Sequence, residues 1–113
     1  MKVKQRETNG VVILDVAGEL HEGPETPRLR VIAKQLADEG KLRLLLNFSK
    51  VTWVASTGLG MLVATKATYE KEGGTLKVCS LNKRVRTLFE VTRMHVMMEL
   101  YNTEAEALAK FAD

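Results

Sequence analysis

Between Leu42 and Phe48 the chain is nearly continuous apolar sequence. A strand of that composition is covered on both faces, and in a small domain the covering elements are helices reached by crossover connections. This segment is therefore expected to be the central strand of a sheet that is parallel around it. Upstream, Val3 to Glu7 and Val11 to Ala17 flank Asn9-Gly10, a dipeptide suited to the positive φ angles of a tight hairpin turn, so the chain should begin with antiparallel strands. Gly23-Pro24 breaks the pattern, and Leu29, Ile32, Ala33 and Leu36 then recur at helical spacing until Gly40.

Downstream, a helix is expected from about Ser56 to Lys71, ended by Gly73-Gly74. It would place Leu59, Leu62, Val63 and Ala67 on a core stripe and Met61, Thr65 and Thr68 on the other side. Thr75 to Cys79 reads as a fourth strand, Asn82 as the cap of a helix carrying Val85, Leu88 and Phe89, and Val96 to Leu100 as a short fifth strand. Thr103-Glu-Ala-Glu106 has the spacing of a capping box and should open the last helix. The expected fold is an α/β sandwich in one domain, residues 1–113, with a mixed central sheet, an N-terminal hairpin and about four helices.

Few kinds of chemistry are open to this chain. His21 and His95 are separated by helices and strands, with no Cys or carboxylate at metal-ligand spacing, so no metal is expected. Cys79 has no second cysteine to pair with and no catalytic partner near it in sequence. Ser56 lacks the glycine two residues before it that a nucleophile elbow needs, since that residue is Val54. The glycines at 58 and 60 lack the Lys-Ser/Thr ending of a phosphate-binding loop, so no nucleotide cofactor is expected. Asn47-Phe-Ser49 matches a glycosylation sequon, but it falls within a segment expected to be buried.

Charge and hydropathy narrow the partners further. The net charge is +3, and the one basic cluster, Lys83-Arg84-Val85-Arg86 with Arg93, has no interleaved aromatic residues and has Glu90 nearby. It reads as a solvated helix face, and no nucleic-acid partner is expected. No apolar run is long enough to insert in a bilayer, and the first residues have no apolar core of a signal peptide, so the protein is expected in the cytoplasm.

The stretch from Val51 to Ala64 is the strongest candidate for function. Ser56 or Thr57 is placed to cap the following helix, where free backbone N–H groups and the positive dipole end also favour an anion. Gly58 and Gly60 each cost a helix roughly 1 kcal/mol relative to alanine, so close approach of another backbone or of a partner is expected to keep them bare. Met61 reads as an adaptable apolar anchor on the partner-facing side, with Thr65 one turn further on. Trp53 reads as a packing residue.

Trp53-Val-Ala-Ser-Thr-Gly-Leu-Gly60 resembles the Asp-Ser-Ser/Thr-Gly-Leu-Gly signature of the STAS domain, the family of bacterial anti-sigma factor antagonists. Gly18-Glu19-Leu20 is similar to the family's Gly-Glu-Leu-Asp, and Leu44 to Val51 to its third strand. Glu72 to Lys77 resembles its Gly-Gly turn, and Thr103 to Leu108 its C-terminal helix. The resemblance implies a phosphorylation switch at Ser56, with Thr57 as the second-choice hydroxyl. It implies a partner-binding surface of Ser56, Thr57, Gly58, Gly60, Met61 and Thr65. The implied partners are an anti-sigma factor with serine kinase activity and a phosphatase acting on Ser56, and the implied outcome is release of a sigma factor.

Three family acids are replaced in this chain, by Ala55, Asn47 and His21. Without those carboxylates Ser56 is expected to be a weaker substrate, the substrate of a divergent kinase, or part of a constitutively binding form. Two other readings stay open. One is an unphosphorylated STAS scaffold or subunit module, as in the stressosome-like or lipid-transport branches. The other is a small enzyme or nucleotide-binding protein using the glycine-rich helix start.

Overall fold

The structure, a computed structural model, describes residues 1–21 and 27–112. The expected break at Gly23-Pro24 lies outside them. The chain runs β1 (Lys2–Thr8), β2 (Val11–Leu20), α1 (Arg28–Asp38), β3 (Arg43–Val54) and α2 (Ser56–Lys71), then β4 (Thr75–Cys79), α3 (Lys83–Val91), α4 (Met94–Met97), β5 (Glu99–Tyr101) and α5 (Glu104–Phe111). The strands form one sheet in the order β1-β2-β3-β4-β5. β1 pairs antiparallel with β2, and every other neighbour pair is parallel.

The hairpin forms where Asn9-Gly10 places it, with Asn9 at φ 48° and Gly10 at φ 77°, both positive as the turn requires. β3 lies at the middle of the sheet and is buried on both faces, as its composition demands. Its alternation divides the core. Leu44, Leu46 and Phe48 join Val12, Leu14 and Val16 under α1, α2, α3 and α4. Leu45 joins Val11, Ile13 and Cys79 under Ala107 and Phe111 of α5.

Two expectations about the elements are corrected. The stretch from Val96 to Leu100 is not one strand, because Met94–Met97 forms the short extra helix α4, making five helices among the described residues where about four were expected, and β5 begins at Glu99. Arg93 ends the preceding turn in the left-handed region at φ 62°, and a helical turn then brings Met94 and Met98 together into the core. The buried stripe of α2 also runs differently: Gly58, Leu59, Met61, Leu62, Thr65 and Tyr69 are buried, whereas Ala67 is exposed. Small and apolar residues surround this helix, so spacing alone did not select the face. Thr65 is buried at little cost because its hydroxyl donates to the Met61 carbonyl at 2.8 Å. The Tyr69 hydroxyl likewise donates to the Lys41 carbonyl.

Candidate functional site

β3 ends at Val54 beside Leu20 of β2, and α2 starts two residues later. The junction is pinned by one hydrogen bond, from the Ala55 N–H to the Leu20 carbonyl at 2.8 Å. Ala55 occupies the N-cap position with φ −79° and ψ 166°, and no side chain caps the helix. This corrects the expectation that Ser56 or Thr57 is the cap: both stand inside the first turn, one and two residues past it. The Leu59 N–H already donates to the Ala55 carbonyl at 3.0 Å, so the helix is formed from its first turn. The N-cap side chain that would normally accept from a first-turn N–H is a methyl group here.

Ser56, Thr57 and Gly60 are exposed. A Cβ built on Gly60 would meet nothing within 4 Å, so that position is open space at the surface. Gly58 is different. A Cβ there would overlap the Leu20 carbonyl oxygen and come within 3.0 Å of its carbon, so Gly58 is bare because β2 packs against it. Met61 at 9% exposure and Thr65 at 0% belong to the core. The structure thus brings Ser56, Thr57 and Gly60 together on one solvent face and removes Gly58, Met61 and Thr65 from it. The physical reason is that α2 turns its 58, 61, 62, 65, 69 stripe onto the sheet.

The three positions where the resemblance leads one to expect an acid fall at two places. His21 is exposed and follows Leu20, at the same end of the sheet as Ala55. Asn47 instead points to the α5 face, where its Nδ2 donates to Glu104 at 3.0 Å and its Oδ1 accepts from the Ser49 N–H at 2.9 Å. Glu104 also accepts from Arg6 at 2.6 Å, and Arg6 donates to both oxygens of Asp15, at 2.6 and 2.8 Å. The Arg6 hydrogen bonds hold the Asp15 and Glu104 carboxyls below their usual range and raise the guanidinium. Asn47 therefore serves a polar network under α5.

One contact near the site escaped the sequence. Arg84 of α3 stacks on Trp53 of β3, 4.2 Å from the ring centroid. The basic run at 83–86 carries no aromatic residue of its own, but the fold brings one to it from 31 positions upstream. On the α5 face, burial pushes the Cys79 thiol pKa up, which keeps it protonated and unreactive. No helix among the described residues is long and apolar enough to cross a membrane.

The profile of the STAS domain family matches residues 2–107. The chain is 34% identical over 99 residues to the anti-sigma-B factor antagonist of Bacillus subtilis, covering 87% of this chain and 86% of that one. Its fold is similar to the crystal structure of an anti-sigma factor antagonist from Mycobacterium paratuberculosis. The TM-score is 0.80 at 26% identity, over 99% of this chain and 94% of that one. SpoIIAA, an anti-sigma factor antagonist solved in unphosphorylated and phosphorylated forms, shares the fold with TM-scores of 0.71 and 0.69 at 17% and 18% identity. The alignments cover 98% and 97% of this chain and 98% and 99% of those chains.

Proposed function

The chain belongs to the STAS domain family, and from that premise we propose that it is an anti-sigma factor antagonist switched at Ser56. It acts in the cytoplasm by binding, not by catalysis. The dephosphorylated form holds an anti-sigma factor that is also a serine kinase, and the sigma factor is thereby released. Transfer of phosphate to Ser56 ends the binding, and a phosphatase restores it.

The observation that carries this reading is the uncapped, solvent-exposed first turn of α2, with Ser56 and Thr57 exposed and Gly60 bare beside them. A phosphate on Ser56 would bring about −1.5 to −2 charges to the positive end of the helix. The dipole and first-turn N–H groups receive that charge without a change of fold. A partner lying on the same face would have to desolvate the charge, which is why modification opposes docking. Ser56, Thr57 and Gly60 form the contact surface; Gly58, Met61 and Thr65 support it from beneath.

The test is a binding assay against an anti-sigma factor kinase, with intact mass measured after incubation with ATP. Wild-type protein should gain one phosphate and lose affinity, and Ser56→Ala should bind but remain unmodified. Ser56→Asp should weaken binding with its melting temperature held or raised. Equal affinity of wild type and phosphorylated protein would overturn the switch. Binding by a chain that never accepts phosphate would favour the scaffold reading, which the methyl group of Ala55 in place of the family acid already recommends as the alternative.

A further inference from the structure

Beside the Ser56 surface, and separate from it, β3 and α3 enclose a groove of about 610 Å³ lined by Trp53, Lys83, Arg84, Thr87, Leu88 and Val91. Its floor is apolar, and one end carries two cations. Val91 is 75% exposed, so the groove opens to solvent along the helix. α4, the next element of the chain, leaves Val96 and Met97 exposed at 64% and 53%.

Several cations elsewhere in the molecule are paired. Arg6 pairs with Asp15 and Glu104, Lys34 with Asp38 and Glu72, Lys66 with Glu70, and Lys77 with Glu99. Among the described residues neither Lys83 nor Arg84 forms an ion pair. Both stand in the first turn of α3, which holds no acidic residue. Cations there oppose the helix dipole, so their placement does not serve the stability of α3. Arg84 instead lies over the Trp53 ring, 4.2 Å from its centroid, and places its positive charge at the groove.

We propose that the groove between Trp53 and α3 docks an acidic amphipathic segment of a protein partner, with apolar side chains against Trp53, Leu88 and Val91 and carboxylates against Lys83 and Arg84. The open, one-sided shape suits a segment laid along the helix, read through a few apolar anchors. Complementary charge sets orientation and association rate. The inference does not rest on the switch at Ser56.

Trp53 is the only tryptophan of the chain, so its emission reports occupancy of this groove directly. The full-length protein is titrated with a tryptophan-free helical peptide carrying Leu at helical spacing and Glu on its flanks. A matched peptide with Lys for Glu serves as control, and anionic lipid vesicles and polyphosphate are titrated in parallel. The acidic peptide should shift Trp53 emission saturably, more weakly as salt rises, and the Lys peptide should not. Arg84→Glu, Lys83→Glu and Val91→Asp alter exposed positions, and each should weaken the peptide about tenfold or more without lowering the melting temperature. No saturable shift, or unchanged affinity in Arg84→Glu, would overturn the proposal. An equal response to vesicles or polyphosphate would overturn it in favour of a lipid or a polyanion. None of these results bears on phosphorylation of Ser56, so the two readings stand or fall separately.

Discussion

The Leu20 carbonyl oxygen occupies the place where a side chain on Gly58 would begin. The same oxygen accepts the Ala55 N–H at 2.8 Å, so the end of β2 fixes both the entry and the first turn of α2. Two glycines two residues apart therefore have different causes, and alanine separates them. Gly58→Ala must displace backbone, and the expected loss is about 1–3 kcal/mol, as for an overpacked core. Gly60→Ala faces open space and should gain about 0.5–1 kcal/mol from helix propensity. Thermal unfolding of the two variants measures this, and binding of Gly60→Ala to the anti-sigma factor shows whether that surface must stay bare.

Ala55 at the N-cap leads to a second prediction. Ala55→Asp supplies the missing acceptor for a first-turn N–H and should stabilise the protein by about 1 kcal/mol. If that carboxylate also helps a kinase present the serine, the variant should be phosphorylated faster at Ser56. Stability without a faster rate would mean that the cap alone was restored. Ser56→Ala removes no cap, so its unfolding free energy should stay within about 0.5 kcal/mol of wild type.

How far the sequence carries is clear from α2 and its neighbours. The hairpin, the central strand and the Asn82 and Thr103 caps were legible because each depends on local chemistry. Asn82 accepts from the Val85 N–H at 2.8 Å and Thr103 from the Glu106 N–H at 3.1 Å. The buried stripe of α2 was not legible, because small and apolar residues lie on all its sides and only the sheet decides which turn inward. Spacing alone therefore reads Met61 as partner-facing, although it is 9% exposed. Met61→Ala should cost about 2–5 kcal/mol, the range for truncating a core side chain, whatever it does to binding. The Arg84–Trp53 stack and the Asn47–Glu104 bond were invisible for a related reason, since each joins elements far apart in the chain.

Asn47 gives a prediction opposite in sign to that for Ala55, though the resemblance leads one to expect an acid at both. Asn47→Asp exchanges the donor facing Glu104 for a carboxylate, placing two like charges at the present 3.0 Å contact. The variant should lose about 1–3 kcal/mol at neutral pH and recover part of it as the pH falls and one carboxyl takes up a proton. Phosphorylation at Ser56 should not change, because Asn47 lies under α5 and not at the start of α2. A gain in phosphorylation rate would contradict that placement.

The Arg6 network sets the acid side of the stability profile. Asp15 and Glu104 have pKa values lowered in the folded state, chiefly by their hydrogen bonds to Arg6. A carboxylate depressed on folding contributes stability that is complete above its unfolded pKa, about 4, and is lost as pH falls through the lower folded value. The melting temperature should therefore hold from neutral pH down to about 5 and then fall steeply below about 4. Arg6→Gln removes the shared cation, so both carboxyls should return towards ordinary values and this part of the acid slope should flatten. At neutral pH the variant should lose only about 1 kcal/mol, because the Arg6 side chain is 40% exposed and both carboxylates are 30% exposed, where solvent screens the pairs. An acid slope as steep in Arg6→Gln as in wild type would assign acid unfolding to other carboxylates.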